Sequence, residues 1–135
     1  MKDSIVKTKS YAFAVNVVRL ARELRQRHEF ELSKQVLRSG TSIGANIEEA
    51  LAGISRRDFT AKMSIASKEA RETHYWLRLI QDSESLTSNV VPPMLRDVEE
   101  LLRILTAIVK TSQNGTSRET KHSTLKTKNF KDVYA

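Results

Sequence analysis

Hydrophobic residues recur at helical spacing in four separate stretches of the chain. In the first stretch Phe13, Val17, Leu20 and Leu24 fall at i, i+4, i+7 and i+11, so they share one face of a helix. The same spacing predicts four helices in all, over about residues 4–27, 31–53, 56–82 and 92–112. Because the connections between them are short, we expect an all-α fold, an up-down-up-down antiparallel four-helix bundle.

Local signals mark the ends of these helices. Gly53 is placed to stop the second helix. Ser55, followed three residues later by Asp58, has the spacing of a capping box at the start of the third. Pro92 or Pro93 suits the first turn of the fourth helix, where a missing N–H costs nothing.

The C-terminal stretch differs in composition from the rest of the chain. Serine, threonine and lysine dominate after Thr111, and no apolar period continues there. Such a segment buries too little apolar surface to offset the entropy lost on ordering it. We therefore predict a four-helix bundle over residues 1–112 and a basic, disordered tail over residues 113–135.

Two glycines lie inside the second predicted helix. Gly40 and Gly44 each lower helix stability by about 1 kcal/mol relative to alanine. They stand in a run of small residues that covers positions 39–45 apart from Ile43. Because the glycines oppose the propensity of their own helix, we interpret them as packing residues that let a neighbouring helix approach closely.

Three of the predicted helices carry more apolar positions than one buried face requires. On the first helix a second apolar set points almost opposite to the core stripe, and the third and fourth helices have similarly wide apolar arcs. The surplus positions are Tyr11, Val15, Val18, Trp76, Leu79, Leu95 and Leu102. Surplus apolar surface is typical of an interface, so we expect a homo-oligomer. The alternative for the first helix is burial in the middle of its own domain.

Composition restricts the classes of function. The chain has 135 residues, of which 39% are hydrophobic and 29% charged, as in a single globular domain. It contains no cysteine, which excludes disulfides, thiolate zinc sites and cysteine nucleophiles. The amino terminus lacks the apolar segment of a signal peptide, and no run of about 18 apolar residues could span a membrane. The expected location is the cytoplasm, without membrane contact.

The net charge of +7 is unevenly distributed. Basic side chains concentrate on one face of the third helix with a tyrosine among them, and two further arginines lie on the first helix. The candidate nucleic-acid-binding residues are Arg19, Arg22, Arg57, Lys68, Arg71, Tyr75 and Arg78. Arginine and lysine suit phosphate contacts, and tyrosine suits base stacking. The alternative interpretation is an ordinary solvated face.

The chain carries no recognisable motif of enzyme chemistry. It has no phosphate loop of the GxxxxGK type, no HExxH and no GxSxG. A di-iron site in a four-helix bundle needs Glu-x-x-His, whereas Glu69 is followed three residues later by Glu72. We therefore predict no catalytic residue, no metal and no cofactor.

Several polar residues border the apolar stripes and are interpreted as structural. They are Ser39, Asn46, Glu49, Glu69 and Glu72. We expect them to be half-buried and therefore to need partners. Arg38 and Lys62 are candidate counter-charges, from this chain or from a neighbouring subunit. Such pairs can fix packing register without adding stability, a role we favour here over acid–base catalysis.

Three segments together resemble a known family. They are LRSGTSIGANIEEA at residues 37–50, KEARETHYWL at residues 68–77, and the helix from Pro92 to Thr111. These segments resemble the four-helix-bundle proteins encoded in bacterial 23S rRNA intervening sequences, and the resemblance covers about residues 8–112. It differs at Ala50, where the family often has glycine.

The resemblance implies a ring-shaped homo-oligomer, typically a pentamer, in a bacterial cytoplasm. The accessory variability proteins of diversity-generating retroelements are similar, and they are associated with nucleic acid and a reverse transcriptase. A reverse transcriptase partner for this chain is thus implied only by analogy. For the intervening-sequence proteins themselves, the resemblance implies no agreed activity.

Two functions of different classes follow from these observations. The first is a non-enzymatic homo-oligomer that binds RNA or DNA through its basic surface, with RNA favoured. The second is a protein-interaction scaffold without a nucleic-acid role, whose apolar faces serve self-assembly and a protein partner. Co-purification of nucleic acid would favour the first.

Overall fold

The computed structural model describes the backbone of residues 4–121 and the side chains of residues 4–115. It contains four helices: α1 (Ile5–Gln26), α2 (Phe30–Ala52), α3 (Arg56–Asp82) and α4 (Val91–Lys121). Over the described residues there is no strand, so the all-α prediction is confirmed. The first three helices begin and end within one residue of their predicted bounds.

The fourth helix is longer than the sequence pattern predicted. It continues to Lys121 instead of ending near residue 112, so residues 113–121 are helical and not disordered. The contact that accompanies the extension is polar. Ser112 is fully buried, and its hydroxyl bonds the Thr60 hydroxyl of α3. The remainder of the predicted tail lies outside the described residues.

The helix ends use the signals seen in the sequence. The Ser55 side chain accepts a hydrogen bond from the Asp58 backbone N–H at 3.0 Å, which confirms the predicted cap of α3. The Ser4 hydroxyl caps α1 in the same way through the Lys7 N–H. Gly53 follows the last residue of α2, as predicted, but its φ of −65° is an ordinary one.

The helices pack in chain order around one core. α1 packs on α2, α2 on α3 and α3 on α4, and a smaller contact between α1 and α4 completes the bundle. Because the connections are short, consecutive helices are antiparallel. The largest buried side chains, among them Phe13, Ile43, Phe59, Leu77 and Leu105, come from all four helices. In this order α1 and α3 lie diagonally across the bundle.

Both glycines of α2 lie against α1, and Gly40 has the tighter surroundings. A Cβ added there would lie 2.7 Å from both methyl groups of Val17, closer than side chains tolerate. At Gly44 the nearest atom to an added Cβ would be the Ser10 Oγ at 3.4 Å, which is an ordinary contact distance. The predicted packing role is therefore confirmed for Gly40, whereas Gly44 has room for a methyl group.

None of the described helices combines the length and the apolar character that a membrane span requires.

Candidate functional site

The outer face of α3 is the most basic helix face that the sequence singled out. α3 buries Phe59, Met63, Ala66 and further apolar residues against the core. On the opposite side, all five predicted binding residues of α3 are exposed. They are Arg57, Lys68, Arg71, Tyr75 and Arg78, and we call this set the α3 basic face.

Two acidic residues of α3, Glu69 and Glu72, point towards α2 and form ion pairs there. The Arg38 guanidinium of α2 donates to Glu69 Oε2 at 3.4 Å and also bonds Glu72 Oε2. Glu72 Oε2 accepts a second hydrogen bond, at 2.9 Å, from the indole N–H of Trp76. These two carboxylates therefore face away from the α3 basic face.

The cations of the α3 basic face differ from Arg38 in their pairing. Within the described part of the chain, Arg57, Lys68 and Arg71 form no ion pair. The Arg78 guanidinium lies 5.9 Å from the centroid of the Tyr75 ring, a cation–π contact. Because Arg38 holds the nearby Glu69 and Glu72 carboxylates on the α2 side of the helix, the positive charge of this face is available to a ligand.

A shallow groove between α3 and α4 extends this basic surface. Its volume is about 370 Å³. The residues that line it are Arg71, Leu102, Arg103, Thr106, Ala107 and Lys110. Arg103 and Lys110 were missed by the sequence analysis. Their sequence signal is the seven-residue spacing of Arg96, Arg103 and Lys110, which keeps three cations on one side of α4.

The two predicted binding residues of α1 lie apart from this surface. Arg19 and Arg22 are both exposed, but α1 is diagonal to α3. Arg19 lines a different depression, between α1 and the start of α4, together with Glu23 and Asp97. One subunit therefore cannot present the α1 arginines and the α3 basic face to the same ligand segment.

The predicted interface positions lie on three helices and differ in exposure. Tyr11 on α1 is 65% exposed and Leu79 on α3 is 38% exposed. Val15 and Val18 are half-buried. The other three, Trp76, Leu95 and Leu102, are also half-buried and pack against the edge of the subunit's own core.

The predicted structural polar residues have partners within the chain. The buried Ser39 and Thr73 hydroxyl oxygens lie 2.9 Å apart across the α2–α3 interface. The Asn46 amide donates to the Ser42 carbonyl oxygen of its own helix at 2.8 Å. Glu49 is exposed and not half-buried as expected, because it sits at the outer edge of α2, where its carboxylate meets Lys62 at 3.3 Å.

Comparison with known families matches residues 2–107 to the 23S rRNA-intervening sequence proteins. The chain belongs to this family. The resemblance seen in the sequence motifs is thereby confirmed. No curated protein matches the chain.

A solved structure supports the same assignment of this intervening-sequence protein. It is a crystal structure, at 1.70 Å resolution, of a protein of unknown function from the S23 ribosomal protein family of Bacteroides thetaiotaomicron VPI-5482. The two sequences are 48% identical and the TM-score is 0.75. The similarity covers 78% of this chain and 99% of that chain. Since the neighbour is described as a protein of unknown function, it names no activity.

The described residues of the intervening-sequence protein contain no group of three or more histidine, aspartate or glutamate side chains that could hold a metal. His74 Nε2 lies 3.1 Å from Glu99 Oε1, and this pair links α3 to α4. Lys9 Nζ lies 2.5 Å from Glu100 Oε1 and links α1 to α4. The hydrogen bond and positive charge of Lys9 hold the pKa of Glu100 below its ordinary value.

Proposed function

We propose that this protein is a non-enzymatic homo-oligomer that binds nucleic acid through the α3 basic face. The observation that carries the proposal is the pairing of Glu69 and Glu72 with Arg38. This pairing holds the Glu69 and Glu72 carboxylates on the α2 side of α3. Cations exposed on the other side of the same helix can then meet phosphates at a distance from these two carboxylates.

The chemistry of the face suits a phosphodiester chain. Lys68, Arg71 and Arg78 follow one another within about 15 Å along α3, at 1.5 Å per residue. Tyr75 lies among them and is 50% exposed, so it offers an aromatic surface beside the cations. RNA is the first ligand to test, because the name of the family refers to 23S rRNA.

Self-association would multiply this surface. The exposed Tyr11 and Leu79 offer apolar area for subunit contacts, with Val15, Val18, Trp76 and Leu95 as half-buried neighbours. We propose a ring of five subunits, each with its own α3 basic face. Repeated sites raise the affinity for a long polyanion beyond that of one subunit.

The test is a double charge reversal, Arg71→Glu/Arg78→Glu. Binding of a fluorescein-labelled oligo(U) is followed by fluorescence anisotropy at about 50 mM salt, where phosphate contacts are strong. The molar mass of each protein is measured by light scattering after size exclusion. We expect the variant to keep the mass of the wild type, several times the 15.4 kDa of one chain, and to lose most of its affinity.

Two other outcomes would overturn parts of the proposal. If the wild type elutes with the mass of one chain at micromolar concentration, the oligomer is wrong. If the variant binds oligo(U) as the wild type does but loses its oligomeric mass, the basic face serves subunit contacts. The protein would then be an interaction scaffold without a nucleic-acid role.

A further inference from the structure

Two rows of cations border the groove between α3 and α4. Arg71 and Arg78 stand seven residues apart on α3, and Arg96, Arg103 and Lys110 repeat at the same interval on α4. All five side chains are exposed. Seven residues correspond to about two helical turns, or roughly 10 Å along the axis. The α4 side therefore carries three positive charges at regular intervals, and the α3 side carries two.

The register of the two helices brings these rows together. The bonds of Thr60 with Ser112 and of His74 with Glu99 show that α3 and α4 run antiparallel and in contact along this length. Arg71, Arg103 and Lys110 all line the groove itself. By the same register, Arg78 and Arg96 come to about the same level at the end of the groove nearer the α3–α4 connection.

The floor of the groove is apolar. Leu102 and Ala107 supply the apolar floor, and Thr106 supplies a hydroxyl. Among the described residues, no carboxylate side chain lines the groove. Glu99 lies one turn before Arg103, and its carboxylate is hydrogen-bonded to the His74 ring. Cations at the rims and carbon atoms at the base match a ligand that alternates charge with flat apolar surface.

We infer that this groove binds single-stranded nucleic acid, with phosphates on Arg71, Arg103 and Lys110 and bases against Leu102 and Ala107. The inference rests on the proposed function and specifies both the site and the ligand class. Unpaired bases expose the faces and edges that such a surface contacts, whereas paired bases are stacked inside a duplex.

The size of the helix pair disfavours a duplex. The major groove of B-DNA is about 12 Å wide and admits one α-helix, whose diameter with side chains is about 10–12 Å. Two packed helices, with axes roughly 8–10 Å apart, are too wide to enter it. A duplex could therefore meet these cations only through its outer phosphates, and its bases could not reach the groove floor.

The test compares two double variants with the same change in net charge. Arg103→Glu/Lys110→Glu alters the groove, and Lys7→Glu/Arg25→Glu alters two exposed cations on the diagonal helix α1 that were not among the candidate binding residues. The probes are labelled oligo(U) of about 20 nucleotides, longer than typical single-strand sites of roughly 4–16, and a blunt duplex of equal length. Circular dichroism and light scattering verify the fold and mass of each protein. If the groove variant misfolds, Arg103→Gln and Lys110→Gln replace it.

We expect the groove variant to bind oligo(U) at least about ten-fold more weakly than the wild type, and the α1 variant to change affinity by less than about three-fold. We also expect the wild type to prefer oligo(U) over the duplex. Equal losses in both variants would overturn the groove while leaving nucleic-acid binding intact. Duplex binding as tight as that of oligo(U) would overturn the single-strand preference. Absence of binding to either probe would refute the proposed function itself.

Discussion

At Gly40 the backbone of α2 lies against the branched side chain of Val17. Both Val17 methyl groups would be 2.7 Å from an added Cβ, and a β-branched side chain has little freedom to move aside. Gly44, one turn later, faces Ser10 with ordinary contact distances. The two glycines share a helix and a neighbour but differ in available space, so they form a matched pair.

Alanine at these two positions should change stability in opposite directions. Gly40→Ala should lower the free energy of unfolding by about 1–3 kcal/mol, because overpacking outweighs the gain in helix propensity. Gly44→Ala should raise it by up to about 1 kcal/mol, because the propensity gain is not opposed. Urea unfolding followed by circular dichroism measures both. Equal effects of the same sign would contradict the tighter packing of Gly40 against Val17.

The Lys9–Glu100 ion pair predicts a local pH dependence. Because Lys9 lowers the pKa of Glu100 in the folded state, the contribution of this pair to stability is complete above the unfolded pKa of the glutamate. The contribution disappears as the pH falls through the lowered value. Lys9→Met should move the pKa of Glu100 up towards its ordinary value, as measured by NMR titration of its side chain. An unchanged pKa would contradict the contact between α1 and α4.

At the level of the helices, α1 and α3 are each followed by a non-glycine residue with a left-handed backbone conformation. His28 has a φ of 62° after α1, and Glu84 has a φ of 55° after α3. At each end, one N–H bonds back five residues and the preceding N–H bonds back three, as in a Schellman motif. Glycine is favoured at such positions because it has no Cβ.

Glu84→Gly should therefore stabilise the protein. The left-handed conformation costs a non-glycine residue about 1–2 kcal/mol, and part of the relief is offset by the entropy of glycine in the unfolded chain. We expect a net gain of about 0.5–1 kcal/mol in urea unfolding. The matched control is Ser83→Gly, next to it at a φ of −84°, which should give no gain. Stabilisation by the control and not by Glu84→Gly would contradict the assigned conformation.

The helix bounds were predictable because their signals are local. The Ser55 cap and the Gly53 stop lie within a few residues of the ends that they mark. The length of α4 was not predictable from periodicity, because its continuation involves Ser112, whose polar contact comes from Thr60 on α3. A side chain at Gly115 would likewise meet the Arg56 guanidinium, another contact between distant parts of the chain.

In the candidate site too, the residues on one helix were predictable, whereas those brought together by the packing of two helices were not. The α3 basic face belongs to one helix, so its spacing alone places Lys68, Arg71 and Arg78 together on the exposed side. The groove depends on the register between α3 and α4, which no single-helix period contains. Arg103 and Lys110 could therefore be joined to Arg71 only once both helices were in place.

For the whole molecule, the main consequence is a separation of charge between opposite sides of α3. Arg38 pairs with Glu69 and Glu72 on the α2 side, and exposed cations that form no ion pair within the described residues occupy the solvent and α4 sides. The net charge of +7 per chain would be multiplied in an oligomer. A field of this kind attracts polyanions over a distance that shortens as salt is added.

The salt dependence of oligo(U) binding by the wild-type protein tests this account most directly. If phosphates contact the cations of the α3 basic face, log K should fall linearly with log salt, by about 0.7 for each phosphate contacted on a single strand. Arg71→Ala should lower the magnitude of that slope by about the value of one contact. A slope near zero, or no binding at about 50 mM salt, would contradict the account.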